Sequence, residues 1–349
     1  MMRAGRFRYH VARSLGDAAA ALANEGPAAR LLAGGTDLLP NMKRRQDAPD
    51  VLISLRHVRE LRGIACNGET TIGAGTTLAD IVRTPALAEK HRALVCAATQ
   101  VASPLIRNTA TIGGNICLDT RCNYYNQTYE WRKSIGFCLR GPLPEGICWV
   151  APSSTRCWAI ASSDTAPALI ALGARVTLCS VEGERDLALE DLYRDDGARP
   201  LARRDDEIVT SILIPSRATR STYWKLRRRG SIDFPVLGVA AAIRFGPHDV
   251  VEEARIVLGA VASHPLLVPE AQLLVGRQLT DDVIAEFAES AARHAKPLDN
   301  TDFQMTWRKT VARSFLSGTL RELRGDDRNT FPLLAREAAA AADIRRLGV

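Results

Sequence analysis

Cysteines are unevenly distributed along this chain of 349 residues, and their positions limit how its middle part can fold. Five of the eight cysteines lie close together: Cys117, Cys122, Cys138, Cys148 and Cys157. The surrounding segment is rich in aromatic residues, is interrupted by Gly and Pro, and has neither helical nor strand periodicity. A loop of about 40 residues without regular structure needs a link or a bound group to hold it in a compact domain.

Three kinds of link are considered for this cysteine-rich segment. Disulfides fit poorly, because nothing in the sequence indicates export and cytosolic thiols stay reduced. Structural zinc sites usually contain a tight cysteine pair, whereas the short pair here is Cys117-x4-Cys122 and the later gaps are 15, 9 and 8 residues. Wide spacing with aromatic neighbours favours an iron–sulfur cluster, with zinc and structural thiols as alternatives. Spacing alone does not identify the spare cysteine. The remaining cysteines are predicted to be small buried hydrophobic residues: Cys66, Cys96 and Cys179.

Two glycine motifs in the first third of the chain predict a dinucleotide site. Residues 31–38 read LLAGGTDL, after a predicted strand and before a predicted helix over residues 37–45, and residues 110–115 read ATIGGN. Paired glycines let backbone N–H groups approach an anion, and a helix start adds its positive end. Two such loops would hold two phosphates, whereas the structural alternative is two tight turns. Neither motif matches G-x-G-x-x-G or a P-loop, which predicts a different architecture.

Periodicity predicts an α+β protein without internal repeats. Predicted helices cover residues 15–24, 78–82, 164–172, 281–295 and 303–323. Predicted strands cover residues 30–33, 51–55, 71–73, 175–179, 208–214, 223–226, 236–245 and 254–261. The polar stretch at residues 216–221 is a predicted domain boundary, and the Ala- and Arg-rich tail from residue 335 is predicted to be helical only when docked.

Composition excludes several classes of function. The formal net charge is +7 and the pI is about 9.1, which suggests an acidic partner. Nucleic acid is not expected, because aromatic residues make up only 5% and the basic residues are scattered. Mean hydropathy is -0.08, with neither a membrane-spanning run nor a secretory signal, so a cytoplasmic location is predicted. No catalytic triad, carboxylate pair or HExxH motif occurs, which predicts cofactor binding without proton-transfer machinery.

Four motifs together closely resemble the FAD-binding subunits of the xanthine dehydrogenase (molybdenum hydroxylase) family. They are AGGTDLLP, SPLIRNTATIGGN, SDTAPALIALGA and YWKLRRRGSIDFPVLGVAAAI, and the likeness covers about residues 5–325. The resemblance implies a PCMH-type FAD-binding domain of two α+β lobes over residues 1–218. It further implies a C-terminal α+β domain over residues 219–330, followed by a tail of residues 331–349.

The segment between TIGGN and the SD motif is longer than in most members of this family. About 40 residues intervene here, in an insertion at about residues 116–160 that contains CLDTRC, NYYNQ and the later cysteines. The insertion resembles that of the beta subunits of 4-hydroxybenzoyl-CoA reductases, which carry an extra [4Fe-4S] cluster. By that resemblance Cys117 is the spare thiol, and the cluster ligands are Cys122, Cys138, Cys148 and Cys157.

The resemblance also implies FAD-binding residues. Val101 would lie near the isoalloxazine, Asp164 would hydrogen-bond the flavin moiety, and Val209 and Lys225 would complete the pocket. The FAD diphosphate and the adjoining ribose would lie against the two glycine motifs: Leu31, Leu32, Ala33, Gly34, Gly35, Thr36, Asp37, Leu38, Thr111, Ile112, Gly113, Gly114 and Asn115.

The activity implied by the resemblance is electron transfer in a heterotrimeric molybdenum enzyme, with no catalytic residue on this chain. Electrons from ferredoxin would pass through the [4Fe-4S] cluster and FAD to two [2Fe-2S] clusters on a small subunit. They would then reach molybdopterin on a large subunit, where 4-hydroxybenzoyl-CoA would lose its phenolic hydroxyl. One alternative is an oxidative hydroxylase of aldehydes or N-heterocycles, and another is a zinc-stabilised flavin-binding module without electron transfer.

Overall fold

The N-terminal lobe contains a parallel three-stranded sheet. The structure, a computed structural model, describes residues 3–142, 146–332 and 335–337. The elements of this lobe are β1 (Arg8–Val11), α1 (Leu15–Glu25), β2 (Ala29–Leu32), α2 (Leu38–Lys43) and β3 (Val51–Ser54). The strand order is β1-β3-β2. Ser14 caps α1 by accepting a hydrogen bond from the N–H of Asp17. The first glycine motif connects the carboxyl end of β2 to α2.

The second lobe is built on an antiparallel sheet. Its strands are β4 (Ile64–Ala65), β5 (Thr70–Gly73), β6 (Arg175–Ser180), β7 (Gly183–Ala188) and β8 (Ile208–Ile214), in the order β4-β5-β8-β6-β7. The connection from β5 to β6 contains α3 (Leu78–Arg83), α4 (Pro85–Lys90), α5 (Arg92–Thr99), α6 (Pro104–Arg107), α7 (Ile112–Ile116), α8 (Tyr129–Ser134) and α9 (Thr165–Ala171). Buried side chains of α5 and α9 belong to the same core as the sheet.

The C-terminal domain packs helices on a second antiparallel sheet. Its elements are β9 (Arg220–Leu226), β10 (Leu237–Phe245), β11 (Val251–Gly259), β12 (Leu266–Leu267), α10 (Asp281–Ala291) and α11 (Met305–Arg324), with strand order β12-β11-β10-β9. Helix α11 approaches the sheet closely at Gly318, where a Cβ would lie 2.3 Å from the Trp224 ring. None of the described helices has the length and hydropathy needed to cross a bilayer.

Most predicted elements are confirmed, with differences at some element ends and in the cysteine-rich segment. β8 has the predicted bounds, but α2 is shorter than the helix predicted for residues 37–45. The cysteine-rich segment was predicted to lack regular structure, yet it contains α8, whose first turn is capped by the Thr128 side chain. β9 begins at Arg220, inside the predicted boundary at residues 216–221. Of the tail predicted to be helical, only residues 335–337 are described.

Candidate functional site

The first glycine motif forms an open turn between β2 and α2. The backbone N–H groups of Gly34, Gly35 and Thr36 make no hydrogen bond within the described chain. Gly35 has a φ of +70°, a left-handed conformation that glycine adopts without steric cost. The turn therefore presents free donors beside the start of a helix, as an anion-binding loop requires.

The second glycine motif forms the short helix α7 instead of an open loop. The N–H groups of its last four residues have protein acceptors: Ile112 donates to Thr76, Gly113 to Ala74, Gly114 to the Thr111 hydroxyl and Asn115 to the Thr111 carbonyl. Gly113 serves close packing, because a Cβ there would lie 2.7 Å from the Cβ of Ala74. The predicted donation of these amides to an anion is therefore not what the structure shows, and the contact of this motif with FAD stays a prediction.

The two motifs lie directly against each other. A Cβ on Gly34 would be 2.1 Å from the carbonyl oxygen of Thr109, just before the second motif. The side-chain oxygen of Asn115 in turn accepts hydrogen bonds from the Ser163 hydroxyl at 2.8 Å and the Thr165 hydroxyl at 2.6 Å. Three segments that are distant in sequence thus converge: AGGTDL, TIGGN and the SD motif.

Asp164 and Lys225 form a buried ion pair next to these loops. The Lys225 ammonium donates to Asp164 Oδ2 at 2.8 Å, to the Gln100 carbonyl at 3.0 Å and to the Asp233 carbonyl at 2.8 Å. The Tyr223 hydroxyl donates to Asp164 Oδ1 at 2.8 Å. Because an ammonium has three donors, Lys225 is fully occupied by protein acceptors. The pair joins the second lobe to the C-terminal domain.

Burial shifts the protonation equilibria of this pair. Burial raises the pKa of Asp164 above its usual range, and the Lys225 ammonium opposes that rise. Burial likewise lowers the pKa of Lys225, and the Asp164 carboxylate opposes that fall. Burial and the neighbouring carboxylate raise the pKa of Tyr223 well above its usual value. Each charged group therefore depends on the other, and their predicted contact with the flavin stays a prediction.

Val101 is fixed at the junction between the second lobe and the C-terminal domain. The Arg107 guanidinium donates to the Val101 carbonyl at 2.7 Å, and the N–H of Ile232 donates to the Ala102 carbonyl at 2.9 Å. Val101 follows Gln100, whose carbonyl accepts from the buried lysine. Val209 lies within β8 and is buried in the main core. Lys225 is therefore hydrogen-bonded to Asp164 and to the residue before Val101, whereas Val209 takes no part in this network.

Four of the clustered cysteines line one pocket. Cys122, Cys138, Cys148 and Cys157 are all buried and line one small pocket together with aromatic side chains. Backbone hydrogen bonds hold two of them in place: the Cys138 carbonyl accepts from Gly141 at 2.7 Å, and the Cys157 carbonyl accepts from Gly197 at 2.8 Å. The ligand set predicted for a cluster is thus gathered around one space.

The thiols of this pocket are electrostatically coupled. Burial raises the pKa of Cys122 to about 11 and that of Cys157 to about 12, with neighbouring cysteines adding to both shifts.

All eight cysteines are free of disulfides. Within residues 3–142, 146–332 and 335–337, no three His, Cys, Asp or Glu side chains are grouped in a way that would hold a metal ion.

The other cysteines lie away from this pocket. Cys117 follows α7 and packs on the main core without lining the pocket. Cys96 and Cys179 are buried, as predicted, whereas Cys66 is partly exposed. The interpretation of Cys117 as the spare thiol is consistent with this placement.

Sequence reasoning missed Arg121, which joins the cysteine-rich segment to the first glycine motif. Its guanidinium donates to Asp37 and lies over the Phe234 ring, 4.6 Å from the ring centre. Burial raises the pKa of Asp37, and the Arg121 cation opposes that rise. Arg121 stands in the CLDTRC motif, but its partners are distant in sequence, so periodicity gave no signal for it.

Comparison with known proteins identifies the family. The chain matches "FAD binding domain in molybdopterin dehydrogenase" over residues 5–217 and "CO dehydrogenase flavoprotein C-terminal domain" over residues 221–323. The chain belongs to the FAD-binding subunits of the molybdenum hydroxylase family. As a member of that family it is an FAD-binding oxidoreductase subunit, which confirms the predicted family, the prediction of FAD as a cofactor, and the presence of an FAD-binding domain followed by a C-terminal domain.

Relatives and solved structures support the same assignment. The chain is 30% identical over 325 residues to the aldehyde oxidoreductase FAD-binding subunit PaoB of Escherichia coli strain K12, covering 88% of this chain and 95% of PaoB. It is 31% identical over 255 residues to the nicotinate dehydrogenase FAD-subunit of Eubacterium barkeri, covering 72% and 73%. A carbon monoxide dehydrogenase structure from Hydrogenophaga pseudoflava superposes with a TM-score of 0.76 at 27% identity, covering 92% of this chain and 98% of that chain.

Proposed function

We propose that this subunit carries a [4Fe-4S] cluster beside its FAD and transfers electrons in a molybdenum-dependent 4-hydroxybenzoyl-CoA reductase. The observation that carries the proposal is the pocket lined by Cys122, Cys138, Cys148 and Cys157. The four side chains offer only sulfur as donor atoms, and a set of four thiolates suits iron–sulfur clusters. The insertion that supplies them resembles the one in the reductase beta subunits.

The residues around this pocket fit an anionic redox centre. Arg140 lines the pocket and pairs with Asp119 at 2.9 Å, so a buried cation lies close to the four thiols. The Arg140 guanidinium also covers the Tyr125 ring at 3.8 Å, and Trp149 donates its indole N–H to the Phe137 carbonyl. These side chains would limit access of water to the cluster and offset the charge of its thiolates.

The pocket and the FAD loops are neighbours in the chain and in space. Cys122 directly follows Arg121, whose side chain pairs with Asp37 of the first glycine motif. When bound, the cluster and the flavin would supply the redox chemistry. The chain itself would fix their separation and exclude water. The net positive charge of the chain, +7, would attract an acidic electron donor such as ferredoxin.

The substrate reaction belongs to partner subunits in this proposal. A large subunit with molybdopterin would convert 4-hydroxybenzoyl-CoA, two electrons and two protons into benzoyl-CoA and water. A small subunit with two [2Fe-2S] clusters would connect it to the FAD of this chain. The NYYNQ sequence after Cys122 supports this reaction over the others, because that context resembles the reductase insertion.

An oxidative hydroxylase is the second candidate function. Its support comes from the names of relatives, which include nicotinate dehydrogenase, nicotine 6-hydroxylase and an aldehyde oxidoreductase. In that case, an aldehyde or N-heterocycle would be oxidised at the molybdenum site, and electrons would leave through the FAD of this chain.

Replacing Cys148 by serine should remove the cluster, whereas replacing Cys117 by serine should keep it. Each complex would be purified anaerobically with its partner subunits and analysed for iron, sulfide and FAD. The Cys148→Ser complex should contain about four fewer iron atoms per copy of this chain than the wild type, with unchanged FAD. The reverse pattern would refute the ligand assignment. Zinc without these four iron atoms in the wild-type complex would refute the cluster itself.

The substrate assay separates the two candidate functions. With a reduced viologen as donor, the complex should form benzoyl-CoA from 4-hydroxybenzoyl-CoA under anaerobic conditions. The matched assay offers aldehydes and N-heterocycles with an oxidising dye as acceptor. Turnover in the second assay alone would contradict the reductase and support the oxidative hydroxylase.

A further inference from the structure

Arg121 is held rigidly between the cysteine-rich segment and the FAD loops. Its backbone exchanges two hydrogen bonds with Ile160, each 2.8 Å long, which fixes the direction of its side chain. The residue is 8% exposed. Its Nη2 donates to Asp37, and its flat guanidinium face lies on the Phe234 ring. The side chain therefore contacts both the first glycine motif and the C-terminal domain.

One nitrogen of this guanidinium has no acceptor. Arg121 Nη1 is buried and makes no hydrogen bond to any described residue. By contrast, the buried Arg308 donates from all three of its nitrogens to backbone carbonyls. Leaving a buried cationic donor without an acceptor is unfavourable. A bound ligand could therefore supply the acceptor that Nη1 lacks within the described residues.

The surroundings indicate an anionic ligand. Asp37 belongs to the first glycine motif, directly after Gly34, Gly35 and Thr36. The N–H groups of these three residues also have no partner among the described residues. The Asp37 carboxylate alone would repel an anion at this loop, and the Arg121 cation neutralises it. Free amides and a guanidinium donor at one turn match the donors that proteins use for phosphate oxygens.

We propose that Arg121 is an FAD-binding residue whose Nη1 donates to the diphosphate of the bound dinucleotide. The guanidinium fork suits both tasks, because it holds Asp37 with one nitrogen and leaves the other for a phosphate oxygen. The inserted segment thereby contributes directly to the FAD site, in addition to carrying cysteines. This role does not depend on what the cysteine pocket binds.

The test measures FAD affinity of the full chain after removal of its flavin. Titration would be followed by quenching of FAD fluorescence. R121Q should weaken FAD binding by about 10- to 100-fold, the usual effect of losing a charge-assisted hydrogen bond, and R121K should recover part of the loss. R313Q is the matched control: it removes the same charge from an exposed pair with Glu289 and should bind FAD as the wild type does.

A second readout separates a phosphate contact from a structural role. The ³¹P resonances of FAD bound to R121K should shift relative to those of the wild type, because a compact ammonium replaces the planar fork. Circular dichroism would verify that each variant is folded. Wild-type FAD affinity in R121Q would overturn the proposal. So would a loss of affinity accompanied by unchanged ³¹P resonances in R121K.

Discussion

Replacing Gly34 by alanine should leave the subunit with less than about one tenth of its normal FAD content. The added Cβ would lie 2.1 Å from the carbonyl oxygen and 2.8 Å from the carbonyl carbon of Thr109. Both are backbone atoms, so no side-chain rotation can relieve the overlap, and the two glycine motifs must move apart. Overpacking of this kind typically costs about 1–3 kcal/mol. If the arrangement of the loops that binds FAD bears this cost, the affinity for FAD falls by about 10- to 100-fold.

The measurement is the ratio of flavin absorbance to protein in the purified variant, followed by titration with FAD. Gly16→Ala is the control, because a Cβ on Gly16 has no neighbour within 4 Å. Gly16 lies in the first turn of α1, where alanine is tolerated at least as well as glycine, so this variant should keep both its FAD and its stability. A Gly34→Ala protein with full flavin would contradict the close approach of the two loops.

Strand prediction succeeded where burial imposes a pattern and failed for strands at exposed sheet edges. Residues 208–214 are mostly apolar or β-branched, and they form β8, which lies inside its sheet between β5 and β6. β1 and β7 are edge strands, and their residues are largely exposed. Edge strands need little apolar alternation, so RYHV and GERDLA carry no periodic signal. β1 and β7 are strands because their backbones pair with a neighbouring strand.

The sequence indicated which motifs form the candidate site, but it did not indicate most of the contacts that their residues make. Paired glycines predicted two special turns, but only the first turn leaves its glycine amides free. Gly113 instead permits packing on Ala74, and that requirement depends on a neighbour that the local sequence does not reveal. The pairing of Arg121 with Asp37 likewise joins segments 84 residues apart. Such contacts follow from tertiary packing, which the periodicity of the local sequence does not reveal.

The cysteines show the same division between segment and contact. The concentration of five cysteines in one segment predicted that a link or a bound group holds this part of the chain together. Spacing alone did not distinguish Cys117 from the four cysteines around the pocket. The helix α7 explains the difference, because it ends at Ile116 and places the next residue, Cys117, against the main core.

Replacing Lys225 by methionine should destabilise the subunit by about 3–5 kcal/mol, the usual cost of removing one partner from a buried ion pair. Asp164 would keep the Tyr223 hydroxyl at 2.8 Å but would lose its compensating cation. The carbonyls of Gln100 and Asp233 would lose a donor as well. Urea unfolding of the full chain at pH 8, compared with the wild type, measures the effect.

The destabilisation should depend on pH with a definite sign. Burial already raises the pKa of Asp164, and Lys225 opposes that rise, so the variant should have a still higher Asp164 pKa. A raised pKa means that the folded state binds the proton more tightly than the unfolded state, and stability is therefore lost as the pH rises through the folded pKa. The difference between Lys225→Met and wild type should be smaller at pH 5 than at pH 8.

The double variant Asp164→Asn with Lys225→Met distinguishes an unpaired charge from a packing defect. If the uncompensated Asp164 carboxylate causes the loss, the added Asp164→Asn change should restore much of the lost stability, because the asparagine oxygen still accepts from Tyr223. The restored stability should also lose its pH dependence between pH 5 and pH 8. If the double variant is less stable than Lys225→Met at both pH values, the lysine acts through its two carbonyl contacts and the ion pair is not the stabilising element.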